Sequence, residues 1–207
     1  MPRTKLKRIL TLLLDHELEI KSKYELAKMA GCTPSWAIMV CKKLEKKGLM
    51  KGLKVVNAKK LFELFHTIKP KKREFKAYSV YGDGLEKIIE LFKGLGKEFA
   101  FTTYFAENLV QKHLFSHRTD VYVNNEDMSK WHDELTKIGT YGGGNIRVIV
   151  ATHDELFNKK QIKYQGKEFL VVNLPQLISD LYTEGGPAGE AADMLLEKLV
   201  KAVEAKK

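Results

Sequence analysis

Residues 22–48, Ser-Lys-Tyr-Glu-Leu-Ala-Lys-Met-Ala-Gly-Cys-Thr-Pro-Ser-Trp-Ala-Ile-Met-Val-Cys-Lys-Lys-Leu-Glu-Lys-Lys-Gly, spell two short helices joined by a tight turn. Ser22, with Glu25 three residues on, forms a capping box, and Leu26, Met29 and Ala30 then recur at helical spacing. A first helix is expected from Lys23 to Ala30. Gly31 tolerates a positive φ, and Thr33-Pro34 supplies a side-chain N-cap followed by proline at the first helical position. In the second helix Ala37, Val40, Cys41 and Leu44 fall at i, i+3, i+4 and i+7, and Gly48 stops it. That stripe packs on the first helix. The outward face carries Ser35, Trp36, Met39, Lys42, Lys43, Lys46 and Lys47, with its apolar residues toward the N-terminus and its lysines toward the C-terminus. Lysine-rich faces are usually plain solvated surface, but the two-helix grammar makes this one a helix-turn-helix.

The flanking segments complete a small domain over residues 1–68. A basic lead-in precedes a helix of about Lys5 to His16, whose Leu6, Ile9, Leu10 and Leu13 form a core-facing stripe. After Gly48, apolar residues on both sides of Lys51-Gly52 read as a short hairpin, and Ala58 to Ile68 as another amphipathic helix burying Leu61, Phe62, Leu64 and Phe65. These pieces make a winged helix, with the hairpin as wing. Thr33, Ser35, Trp36, Met39, Lys42, Lys43, Lys46 and Lys47 are then the expected DNA-facing residues of the recognition helix, joined by Lys51 and Lys54 of the wing. Trp36 lies off the buried stripe and is expected to be exposed; packing under the first helix or against the second domain is the other possibility. Cys32 and Cys41 read as small core residues, not as a metal pair or disulfide.

Charge follows the same division. The 207-residue chain has a formal net charge of +10. Residues 1–76 hold 20 Lys/Arg against 7 Asp/Glu, whereas residues 77–207 hold 16 against 19. So concentrated an excess suits a polyanion, because each neutralised phosphate releases counterions. No apolar run approaches the ~18 residues a membrane span needs, and Leu10–Leu14 is too short for a signal peptide, so a cytoplasmic protein is expected. Residues 69–76, with Lys69-Pro-Lys-Lys-Arg-Glu74 at their heart, form a basic linker or a phosphate-binding strap.

From residue 77 strands alternate with helices, which predicts an α+β domain with a mixed sheet running to residue 207. Strands are expected over 75–81, 99–103, 120–124 and 145–152, with a hairpin of 162–164 and 168–172. Helices are expected over 84–93, 105–113, 127–138, 175–182 and 187–205. Several polar residues there imitate sites. Tyr141-Gly-Gly-Gly-Asn145 precedes a strand, whereas a phosphate cradle precedes a helix, so it is a loop. His113, His117, His132 and His153 lack metal-ligand spacing. Asp120 lacks a second carboxylate two residues on, and Lys167-Glu168, with Asp120 or Asp154 upstream, only faintly echoes a metal-dependent nuclease. No catalytic, cofactor or metal residue is assigned.

The arrangement resembles the AbiEi-type antitoxins of type IV toxin-antitoxin (abortive infection) systems, over nearly the whole chain. The resemblance rests on the winged helix leading into Val55-Val56-Asn57 and the Leu61-Phe-Glu-Leu-Phe65 helix, and on Thr103-Tyr-Phe-Ala-Glu-Asn-Leu109 before the Asp120-Val-Tyr-Val123 strand. It rests most on the tail, Leu170-Val-Val-Asn-Leu-Pro-Gln-Leu-Ile-Ser-Asp-Leu-Tyr182 and Glu190-Ala-Ala-Asp-Met-Leu-Leu196. The departures are the apolar Trp36, Ile38 and Met39 on the recognition face and Gly186-Pro-Ala-Gly189 before the last helix. The resemblance implies an autorepressor that binds double-stranded DNA at its own promoter, in an operon encoding a nucleotidyltransferase-like toxin. Such a regulator is expected to be a non-enzyme without cofactors, and a homodimer is compatible with it. Two other classes fit the sequence: a nuclease or nucleotidyltransferase targeted by its winged helix, and a module whose Trp36 and Met39 bind a protein.

Overall fold

The structure is a computed structural model that describes residues 3–68, 73–80, 89–92, 94, 98–152 and 154–206. Three helices come first: α1 (Arg3–Leu14), α2 (Lys23–Ala30) and α3 (Pro34–Lys46). A two-stranded antiparallel hairpin, β1 (Met50–Lys51) and β2 (Lys54–Val55), leads into α4 (Ala58–His66). The local chemistry sets these boundaries. The Glu25 amide donates to Ser22 Oγ at 3.1 Å. Glu25 itself reaches back to the Lys21 amide at 2.7 Å, one residue further than the usual capping box. Gly31, at φ +64°, ends α2 with Cys32 N–H on Ala27 C=O, and Gly48, at φ +67°, lets Leu49 N–H close on Leu44 C=O in the same way. Thr33 takes the N-cap position of α3, but its side chain makes no capping hydrogen bond, contrary to expectation; its carbonyl alone begins the helical ladder.

The expected stripe of α3 is buried in full: Ala37, Val40, Cys41 and Leu44. In contrast, α1 is buried on more than one side, with Leu12 and Leu14 inaccessible as well as Ile9 and Leu10. It packs on α2 and α4 with one face and on the C-terminal region with another.

The remainder is a seven-stranded mixed sheet with helices. Its elements are β3 (Phe75–Val80), β4 (Phe99–Thr102), α5 (Thr103–Val110), β5 (Thr119–Asn124), α6 (Met128–Ile138), β6 (Gly139–Tyr141), β7 (Ile146–Ala151), β8 (Lys160–Tyr164), β9 (Lys167–Val171), α7 (Leu174–Glu184) and α8 (Pro187–Glu204). Strand order is β6-β3-β7-β5-β4-β9-β8, with β5–β7 and β4–β9 parallel and the other neighbours antiparallel. The α+β class and mixed sheet are as the sequence predicts. Of the helix expected over 84–93, residues 89–92 are helical and the rest lies outside the described residues. Strand β6 was not foreseen, because three residues before a glycine run carry no usable period.

Strand alternation divides the sheet's two faces. Phe99, Phe101, Val121 and Val123 share one face, where Phe92 and Trp131 complete an aromatic core with ring centroids 4.5 Å apart. Ala100, Thr102, Asp120 and Tyr122 share the other, which is covered by α7 and is rich in charge.

The N-terminal helices dock on this second layer. Lys7 pairs with Glu155 at 3.1 Å, Arg8 with Asp154 at 2.8 Å, and Asp15 with Lys160 at 2.6 Å. His66 Nδ1 lies 2.8 Å from Ser179 Oγ, and the Ala58 amide that opens α4 donates to Glu204 at 2.8 Å. Residues 69–72 of the basic run lie outside the described residues, but Arg73 at its end is an anchor, ion-paired with the buried Asp180.

Candidate nucleic-acid interface

The candidate surface is the outward side of α3 with the β1–β2 hairpin. Ser35, Met39, Lys42 and Lys46 follow at i, i+4, i+7 and i+11 and so form the crest of the helix, diametrically opposite its buried stripe. All four are exposed, as are Thr33, Lys43, Lys47, Lys51 and Lys54. Among the described residues none of the six lysines sits within ion-pair distance of a carboxylate. Glu45 is the lone acid of α3 and is turned away: it pairs with Lys23 at 3.2 Å on the flank facing α2. The pair also brings the start of α2 to the lysine-rich end of α3.

Trp36 corrects an expectation. It is half-buried and packs against the core instead of standing exposed. The ring lies on the α3 flank, seven residues before Lys43, and it is large enough for one edge to reach the buried stripe while the other stays in solvent. The predicted face therefore splits. Ser35, Met39, Lys42 and Lys46 point outward, while Lys43 and Lys47, with Lys46 at the border, edge a groove whose walls are Leu6, Val40, Leu44 and Leu64.

On the hairpin, Lys51 and Lys54 are direct cross-strand partners, so their ammonium groups share one side. Like charges placed opposite each other destabilise a two-stranded ribbon, a cost that an anion between them removes. Lys54 also borders the cleft toward Leu18, Val203 and Lys206, where the hairpin meets the end of α8. Sequence reasoning missed Tyr24, which is 68% exposed on α2 with Lys28 one turn on. Its position off the Leu26/Met29/Ala30 stripe was the available signal.

Residues that echoed a nuclease are held otherwise. Asp120 is inaccessible and receives both forks of Arg118 and Arg147, at 2.7–3.0 Å, together with the hydroxyl of Thr103. Glu184 bridges the same two arginines, whose guanidinium pKa values rise: burial opposes the charge, but the two carboxylates outweigh it. Thr103, a β-branched residue at φ +50°, turns β4 into α5 beneath this cluster. Glu168 sits on β9, separated from β5 by β4, and Asp154 is taken by Arg8. A second charged cluster gathers Arg73, Thr102, Tyr122 and Gln176 around Asp180. Burial pushes the Asp180 carboxyl upward against the pull of Arg73.

Among the described residues no group of three His, Cys, Asp or Glu is placed to hold a metal ion. His132 is engaged by Tyr78 OH at 3.0 Å and His117 by the Tyr104 ring; His153 lies outside the described residues. Cys41 is buried and Cys32 half-buried, both as free thiols whose pKa values burial raises. No helix among the described residues is long and apolar enough to cross a membrane. Comparisons with protein families, with curated proteins and with solved structures give no match.

Proposed function

We propose that this chain is a DNA-binding transcriptional regulator that lays α3 in the major groove of a duplex. The observation that carries the reading is the exposed crest of α3: Lys42 and Lys46 have no carboxylate partner among the described residues, and Ser35 and Met39 lead toward the N-terminus. In such a dock the N-terminal residues of the helix approach base edges while lysines neutralise phosphates. The six elements from α1 to α4 then act as a winged helix, with Lys51 and Lys54 straddling the neighbouring backbone. Thr33, Ser35 and Met39 offer few bidentate contacts, so sequence reading leans on thymine methyl packing and duplex shape.

The C-terminal region serves assembly or sensing in this account, since the buried carboxylates of Asp120 and Asp180 are closed on arginines and hydroxyls. Asp120, neutralised twice and without solvent access, is poorly suited to metal binding or proton transfer. The resemblance to AbiEi-type antitoxins adds that the operator lies in the protein's own promoter and that a nucleotidyltransferase-like toxin is encoded beside it; a cytoplasmic location is part of the same proposal. Gel shift against the DNA upstream of its gene, with and without a divalent metal, tests the reading. A shifted, uncut duplex under both conditions is expected. Loss of full-length DNA only with metal would make the protein a nuclease, and absence of any shift would remove the proposal.

A further inference from the structure

The groove on the flank of α3 has a volume of about 330 Å³ and is almost wholly apolar, floored by Leu6, Val40, Leu44 and Leu64. Its rim carries Lys43, Lys46 and Lys47. A hydrophobic trough edged on one side by cations selects a ridge with an apolar centre and carboxylates around it. The chain presents such a ridge itself. On α8, Glu190, Asp193, Met194 and Glu197 fall at i, i+3, i+4 and i+7 and therefore share one side of the helix. Met194 is 41% exposed, one of the few large apolar side chains so placed, with Glu190, Asp193 and Glu197 exposed along one edge of it and Lys198 and Lys201 exposed toward the C-terminal end of the helix. Asp193 accepts a hydrogen bond from Tyr182, while Glu190 and Glu197 make no ion pair among the described residues.

We infer that the groove is an interaction surface for a second copy of this chain, which seats Met194 between Leu6 and Leu64 and sets its Glu190 and Glu197 against Lys43 and Lys47. Every copy carries both groove and ridge, so two such contacts related by a two-fold axis close a dimer. Methionine suits the role because its unbranched thioether adapts to an irregular trough. The inner side of α8, with Ala188, Ala191, Leu195 and Leu199, is committed to the chain's own core, so the outer ridge is available without unfolding. The contact stands on the groove and ridge alone and does not depend on DNA binding.

Sedimentation of the full-length protein over a range of concentration and salt tests it. A reversible dimer weakened by salt is expected. Lys43→Glu with Lys47→Glu should raise its dissociation constant by on the order of tenfold or more, and Glu190→Lys with Glu197→Lys should do the same. Combining all four substitutions should restore dimerisation, which unfolding would not produce; a general charge effect would move the two pairs of substitutions in opposite directions instead of weakening both. Circular dichroism confirms that each variant is folded. A monomer at every concentration, or a dimer indifferent to both charge reversals, or failure of the combined variant to recover, would overturn the inference.

Discussion

Lys7 and Glu155, 148 positions apart in the chain, meet at 3.1 Å with side-chain exposures of 3% and 1%. A pair so deeply desolvated is unlike a surface salt bridge, whose net worth is small. Removing one partner strands a charge in the interior, whereas removing both together can be nearly neutral. Lys7→Met is therefore expected to destabilise the protein by about 3–5 kcal/mol in chemical unfolding. Lys7→Met with Glu155→Leu should cost less than Lys7→Met alone. Equal or greater loss in the double variant would mean that the contact is not the reason α1 is held where it is.

The Asp15–Lys160 pair makes the docking pH-dependent. Burial pushes the Asp15 carboxyl up, but hydrogen bonds from Lys160, the Asn158 amide and the Glu17 backbone outweigh it and hold the carboxyl below its ordinary 3.8. Its contribution is complete above that value and is lost as the pH falls through the lower folded one. Lys160 is raised above 10.5 because Asp15 and Glu17 outweigh its burial, so its contribution is complete below 10.5 and is lost as the pH rises through the folded value. Urea midpoints measured against pH should show both limbs. Asp15→Asn should flatten the acid limb, and an unchanged acid limb in that variant would contradict the assignment.

Trp131 is fully buried and Trp36 half-buried, which makes the tryptophans separable. In Trp131→Phe the remaining emission should be intermediate between buried and solvent-exposed tryptophan, partly quenchable by iodide, and altered by operator DNA. A blue spectrum unaffected by quencher and by DNA would place Trp36 wholly in the core, away from the partner surface.

Much of the N-terminal architecture was legible because its signals are local. Ser22, Gly31, Pro34 and Gly48 punctuate the helices, and the stripe of Ala37, Val40, Cys41 and Leu44 fixed which side of α3 is buried. What the sequence hid was non-local. Nothing in Arg3–Leu14 announces that Lys7 would lie in the interior, because its partner Glu155 comes from a loop far along the chain. Arg73 at the end of a basic run looked like linker for the same reason: Asp180, which holds it, sits over a hundred residues away. Trp36 was misjudged because a helical wheel gives an angle but not how far a large ring can lean.

Salt dependence of duplex binding tests whether the lysines of α3 lie against DNA phosphates. Each phosphate contact contributes about 0.9 to the slope of log K against log salt on B-form DNA. If the crest of α3 faces the backbone, the Lys42→Ala/Lys46→Ala protein should bind more weakly to every sequence, with a slope shallower than the parent's by roughly two. A parent slope near zero, or an identical slope in parent and variant, would contradict the account.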